Sequence, residues 1–180
     1  MAAATKVSTL SDQDLAELIS LTKGADSVEL KLTVPVSERS SGAAALGVDP
    51  LDAQIRQVYF FDTPDLVLNK AGVVVRARRV QKKGDDTVVK LRPVVPSELP
   101  AELRKSPNFG VEVDAMPGGC VCSGSMKRAL KTPDVRDAVF GNRPVHKLFS
   151  KEQRALYGVH APEGSPWTTC RSWVRFSCSS

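Results

Sequence analysis

Residues 72–93 read Gly-Val-Val-Val-Arg-Ala-Arg-Arg-Val-Gln-Lys-Lys-Gly-Asp-Asp-Thr-Val-Val-Lys-Leu-Arg-Pro, and their period decides the fold. The segment Lys82-Lys83-Gly84-Asp85-Asp86 is a turn signal between two runs rich in valine. The runs predict strands over 73–81 and 86–93, joined as a hairpin. A strand places residues i and i+2 on one side. Arg76 and Arg78 therefore share a face, as do Lys90 and Arg92. Val73, Val75 and Ala77, with Val89 and Leu91, line the other.

The same alternation recurs on both sides of this hairpin. Over 27–34, Val28, Leu30 and Leu32 oppose Glu29 and Lys31. Over 109–115, Val111 and Val113 oppose Glu112 and Asp114. A further strand is expected at 54–62, turned by Thr63-Pro64-Asp65. Helical signals cover 9–24, 97–105, 125–131 and 132–140. The stretch 35–50 reads as a loop with a short helical piece, 116–124 as a loop, and 145–157 as a strand or mixed segment. Strands with helices inserted between some of them give an α+β fold with a largely antiparallel sheet.

The chain has 180 residues, 42% hydrophobic and 25% charged, which suits one globular domain with a sizeable core. No apolar run approaches the ~20 residues of a membrane span, and Met1 to Ser11 lacks the pattern of a secretory signal. The net charge of +5 permits an anionic partner without demanding one. Cys120, Cys122, Cys170 and Cys178 lack zinc-knuckle spacing and histidine partners. They read as reduced thiols of a cytoplasmic protein.

A charged face opposite an apolar one also describes a sheet with one side in water. The residue types argue for more. Arg76, Arg78, Lys90 and Arg92 would crowd adjacent strands, and like charges there destabilise each other. A polyanion, or carboxylates across a cavity, would neutralise them, and Glu29, Glu112 and Asp114 supply carboxylates. Carboxylates beside guanidinium and ammonium groups suit a phosphate held together with a divalent metal: hard oxygen ligands for the cation, fixed donors for phosphate oxygens. No stacking aromatics interleave the cations, so nucleic acid is not the expected partner, and without a long apolar run neither is a membrane.

From Val28 to about Tyr157 the chain resembles the CYTH family, the triphosphate tunnel metalloenzymes. Val28-Glu29-Leu30-Lys31 is similar to the later part of its Glu-x-Glu-x-Lys strand. Tyr59 to Leu68, with Asp62-Thr63, resembles Tyr-x-Asp-Thr-x-x-x-x-Leu. Arg76-Ala77-Arg78 and Lys90-Leu91-Arg92 resemble the Leu-Arg-x-Arg and Lys-x-Arg strands. Glu112-Val113-Asp114 stands where the next acidic strand falls, and Arg154 with Tyr157 resembles Arg-x-x-Tyr. Each motif is short; six in order over roughly 130 residues are specific.

The resemblance implies an eight-stranded antiparallel β tunnel with flanking helices. It also implies binding of a triphosphate-containing small molecule and its hydrolysis with Mg²⁺ or Mn²⁺, the substrate being inorganic, nucleoside or thiamine triphosphate. A CYTH-type adenylate cyclase and a non-catalytic polyphosphate or nucleotide binder are the alternatives. Arg76, Arg78, Lys90, Arg92 and Arg154 would hold phosphate. Glu29, Glu112 and Asp114 would hold metal, and Lys31 with Glu29 would serve the chemistry. Ser27 replaces the motif's first Glu, and Glu152 stands where a basic residue is common.

The expected organisation is an N-terminal helix in 1–26, a CYTH-like domain in 27–164 and an anomalous tail in 165–180. The tail holds both tryptophans, Cys170 and Cys178, and no acidic residue. Moved back by one nucleotide, its codons would give an apolar strand, so 165–180 reads as the product of a frameshift that truncates the tunnel.

Overall fold

The hairpin is present. The computed structural model describes residues 11–31, 34–47, 49, 54–81, 83–116, 118–131, 134–168 and 170–179. Its strands are β1 (Ser27–Leu30), β2 (Gln54–Asp62), β3 (Val73–Val80), β4 (Asp85–Leu91), β5 (Phe109–Met116), β6 (Gly119–Leu130) and β7 (Arg171–Ser179). Its helices are α1 (Asp12–Thr22), α2 (Arg39–Ala45), α3 (Val67–Lys70), α4 (Ala101–Arg104), α5 (Asp134–Val139) and α6 (Lys151–His160). The chain forms two compact units, one of residues 1–33 and 93–124, the other of 34–92 and 125–180.

The larger unit is built on β2, β3, β4, β7 and the second half of β6, ordered β6-β4-β3-β2-β7. β3 and β4 pair antiparallel with Arg78 opposite Asp86 and Val75 opposite Val89. Val75, Ala77, Val89 and Phe61 are each 1% exposed or less, so the apolar side of the hairpin is core. Gly72 enters β3 at φ 73°, and a Cβ there would lie 2.2 Å from the Arg92 carbonyl oxygen. Only glycine permits that approach, which lets Arg92 N–H donate to Gly72 O at 2.8 Å and extend the hairpin past β4.

α6 packs on the apolar side. Ser150 caps it with a capping box: its hydroxyl accepts from Gln153 N, and Gln153 Oε1 accepts from Ser150 N. The Gln153 side chain is wholly buried. It accepts from Thr87 Oγ1 at 3.1 Å and donates to the carbonyls of Thr87 and Met126 at 3.0 Å. One amide thus ties α6 to β4 and β6 and leaves no buried polar atom of its own unpaired. Tyr157 donates its hydroxyl to Ser165 O, and its ring lies 4.1 Å from that of Trp167, which also packs on Phe149. Burial pushes the Tyr157 phenol up, so it remains a donor.

Asp85, 3% exposed, opens β4 on the same side. Burial pushes its carboxyl up, Arg79 opposes this, and Asp86 and Asp134 add to it. The folded value lies above the ordinary one, so this group's contribution to stability is full below about pH 4 and is lost as pH rises through the folded value. Asp85→Asn should therefore melt higher than the parent at pH 7 and converge with it at pH 3. Melting curves over that range test this; a less stable variant at pH 7 would refute it.

In the smaller unit β1, β5 and the first half of β6 are ordered β1-β5-β6. Here the expected pattern needs three corrections. First, β1 runs parallel to β5, Ser27 beside Glu112 and Glu29 beside Asp114. Parallel strands need a long connection, and the chain from 31 to 108 provides it. Second, β6 replaces the loop at 116–124 and the helix at 125–131. Its Cys-Ser-Gly-Ser run reads as a loop, yet Cys122 to Met126 are buried. A Cβ on Gly124 would lie 2.6 Å from the Phe109 ring, so glycine is there to admit the aromatic. Third, the described residues hold seven strands, not eight; β1 hydrogen-bonds to β5 alone and β7 to β2 alone.

Elsewhere, residues 145–157, expected as a strand or mixed segment, form a 3-10 turn (Val145–Leu148) and most of α6, because the Ser150 capping box starts a helix. Residues 171–179 of the tail pair with β2 from Gln54↔Ser179 to Asp62↔Arg171. Among the described residues no helix is long and apolar enough to cross a membrane.

Candidate functional site

The smaller unit gathers the acidic residues. Asp26 fixes the entry to β1: its N–H donates to Val111 O at 2.8 Å, and its Oδ2 accepts from Val111 N at 2.7 Å. Arg104 steadies that corner, donating to Gly24 O at 2.6 Å with Nη2 3.9 Å from Asp26 Oδ1. With β1 locked in register, Glu29, Glu112 and Asp114 fall on one face. One carboxylate oxygen from each lies within 4.8 Å of the others. Glu29 is exposed, Glu112 half-buried and Asp114 fully buried. Lys31 Nζ sits 2.7 Å from Asp114 Oδ1 and 3.6 Å from Glu29 Oε2.

This donor set fits a divalent cation. Three carboxylates and one ammonium sum to −2, the charge a dication neutralises. Mg²⁺ and Ca²⁺ take oxygens at about 2.0–2.6 Å, so ligand oxygens on opposite sides of such an ion are about 4–5 Å apart, which the cluster spans. Ser27, where the resemblance expects a carboxylate, stands beside Glu112 in the register, so the site holds three carboxylates instead of four.

The larger unit gathers the cations. Arg76, Arg78 and Lys90 share the face of the hairpin opposite its core, since Val74 pairs with Lys90 and Arg76 with Val88; Arg92 continues that alternation. Sequence reasoning missed two members. Asp86 holds Arg78 with both oxygens, 2.9 and 3.0 Å from Nε and 2.8 Å from Nη2. Its signal was its even spacing from Lys90, concealed because it was counted in the turn. Arg56 pairs with Val80 in the β2–β3 register and so joins the row from the next strand.

Arg154 does not share that face. It lies on α6, which covers the opposite, apolar side, and its Nη1 donates to Phe149 O at 2.9 Å and His146 O at 3.4 Å. The Asp62-Thr63 motif has a local role. Asp62 Oδ1 accepts from Thr63 N at 2.7 Å and Leu68 N at 2.9 Å, and Oδ2 from Asn69 N at 2.9 Å. Thr63 Oγ1 accepts from Val67 N at 3.0 Å. These bonds hold Leu66 at φ 55°, a left-handed conformation costing about 1–2 kcal/mol, and seat Leu68 in the core at 0% exposure. Cys120, Cys122 and Cys170 form no disulfide; burial pushes Cys122 and Cys170 up, so neither of these two is an activated nucleophile.

No family model matches the chain, and no curated protein does either. Among solved structures, a Bacillus halodurans protein named as a "putative adenylate cyclase" matches with a TM-score of 0.50 at 14% identity, over 77% of this chain. The chain spans 56% of that structure's length. At that identity the likeness is one of fold: the backbone is CYTH-like and α+β.

Proposed function

We propose that the chain binds triphosphate-containing anions and hydrolyses them with Mg²⁺ or Mn²⁺. The observation that carries this reading is the carboxylate cluster of Glu29, Glu112 and Asp114, within 4.8 Å and charge-matched to a dication. The cation row on β3 and β4 supports it, as does the CYTH-like fold. Phosphoryl transfer needs positioning and charge neutralisation more than a covalent nucleophile, and these residue types provide both.

Glu29, Glu112 and Asp114 would hold the metal. When bound, the ion supplies charge to the phosphate oxygens and polarises the phosphorus centre. Arg76, Arg78, Lys90 and Arg92 would bind phosphate oxygens, with Asp86 orienting Arg78. Lys31, bridging Asp114 and Glu29, would position phosphate beside Glu29. Arg154 is assigned to phosphate by the motif resemblance alone.

The test measures phosphate, pyrophosphate and cyclic AMP released from inorganic, nucleoside and thiamine triphosphates, with and without Mg²⁺ or Mn²⁺. Metal-dependent phosphate release is the expected result. Cyclic AMP with pyrophosphate would instead establish the cyclase reading, and binding without product a non-catalytic binder.

A further inference from the structure

We infer that the larger unit carries a second anion site, separate from the β3–β4 cation row, that takes a phosphate chain. It is an open cleft of about 780 Å³ where the 3-10 turn leads into α6. Arg128, His146, Lys147, Lys151 and Arg154 line it, and no carboxylate does.

The gathering of unpaired charge in one cleft is what matters. Several cations elsewhere hold carboxylates: Lys31 with Asp114, Arg78 with Asp86, Lys105 with Glu102, Arg136 with Asp137 and Arg143 with Asp134. Among the described residues, Arg128, Lys147, Lys151 and Arg154 have none within 4.0 Å. Both guanidiniums are already fixed, Arg128 Nη1 on Leu148 O at 3.2 Å and Arg154 Nη1 on Phe149 O at 2.9 Å. Their ordering entropy is therefore spent before a ligand arrives. Lys151 is the first residue of α6, where the positive end of the helix dipole opposes a cation. An anion relieves all of these repulsions together.

The size and chemistry of the cleft indicate the ligand. It is far larger than one phosphate, and four permanent cations ask for more charge than one phosphate carries. Phe149 is 0% exposed and offers no face to a base, which leaves the single imidazole of His146 as the ring of the lining. A linear phosphate chain meets both conditions; a nucleic acid, which binds by stacking as well as charge, does not.

The test is calorimetry of medium-chain inorganic polyphosphate with the full chain and three variants. Lys147→Glu/Lys151→Glu should weaken binding about tenfold or more, and Lys147→Arg/Lys151→Arg should restore it, separating charge from folding. Arg76→Ala/Lys90→Ala should leave a polyphosphate site of near-parental affinity, whatever becomes of triphosphate turnover. Loss of binding in that variant alone, or no binding in the parent, would overturn the proposal. So would a single-stranded RNA of equal charge that binds more tightly than polyphosphate through the same lysines.

Discussion

Asp62→Ala is expected to destabilise the fold by about 3–5 kcal/mol, the scale of several buried donors left unsatisfied. Asp62 is 6% exposed, and its carboxylate satisfies three backbone N–H groups. Alanine leaves Thr63 and Leu68 N–H buried without that acceptor, and it removes the bonds that offset the strained Leu66. Asp62→Asn should recover part of the loss, because its single carbonyl oxygen can replace one of the two acceptors. Denaturant titration of the three proteins measures the series. Equal stability of the alanine and parent proteins would mean that the turn is held by something else.

The second large effect concerns Asp114. Asp114→Asn should lower Mn²⁺ affinity by roughly a hundredfold, about 2.7 kcal/mol, and abolish metal-dependent phosphate release. The order of effects should follow burial: Asp114 most, then Glu112, then the exposed Glu29. A buried carboxylate has no water to share the cation's charge, whereas water can stand in for an exposed one. Titration of Mn²⁺ into the three Asn or Gln variants reads the order directly. A larger effect at Glu29 than at Asp114 would remove the cluster as the metal site.

Much of this architecture was legible because strand alternation is local. The Arg76–Arg78 and Lys90–Arg92 pairs, the Glu112–Asp114 pair and the core valines opposite them all follow from period two, and β3, β4 and β5 lie within a residue or two of their expected ranges. Features set by distant partners were not legible. Nothing near Cys122-Ser123-Gly124 indicates that the Phe109 ring lies against it, so the first half of β6 reads as loop and the second as helix. The direction of β1 depends on its partner, and its own four residues do not specify it. Arg154 matches a short motif, but the capping box that Ser150 opens four residues earlier turns the segment into a helix on the side opposite the β3–β4 cation row. The tail has no alternation, yet a strand needs only backbone donors and acceptors to add to β2.

The parallel pairing of β1 with β5 bears on how quickly the acidic cluster assembles. Ser27 and Glu112 are partners 85 positions apart, whereas Arg78 and Asp86 are 8 apart. Closing the longer loop costs about 2 kcal/mol more chain entropy, and long-range parallel pairing is intrinsically slow. The β3–β4 hairpin can therefore form early, while Glu29 meets Glu112 and Asp114 only late, after the folding barrier has been crossed. An ion bound by all three would then leave the refolding rate nearly unchanged and slow unfolding. In such a protein, dissolved magnesium or manganese would act as a kinetic latch, lengthening the lifetime of the native state without helping the chain to reach it.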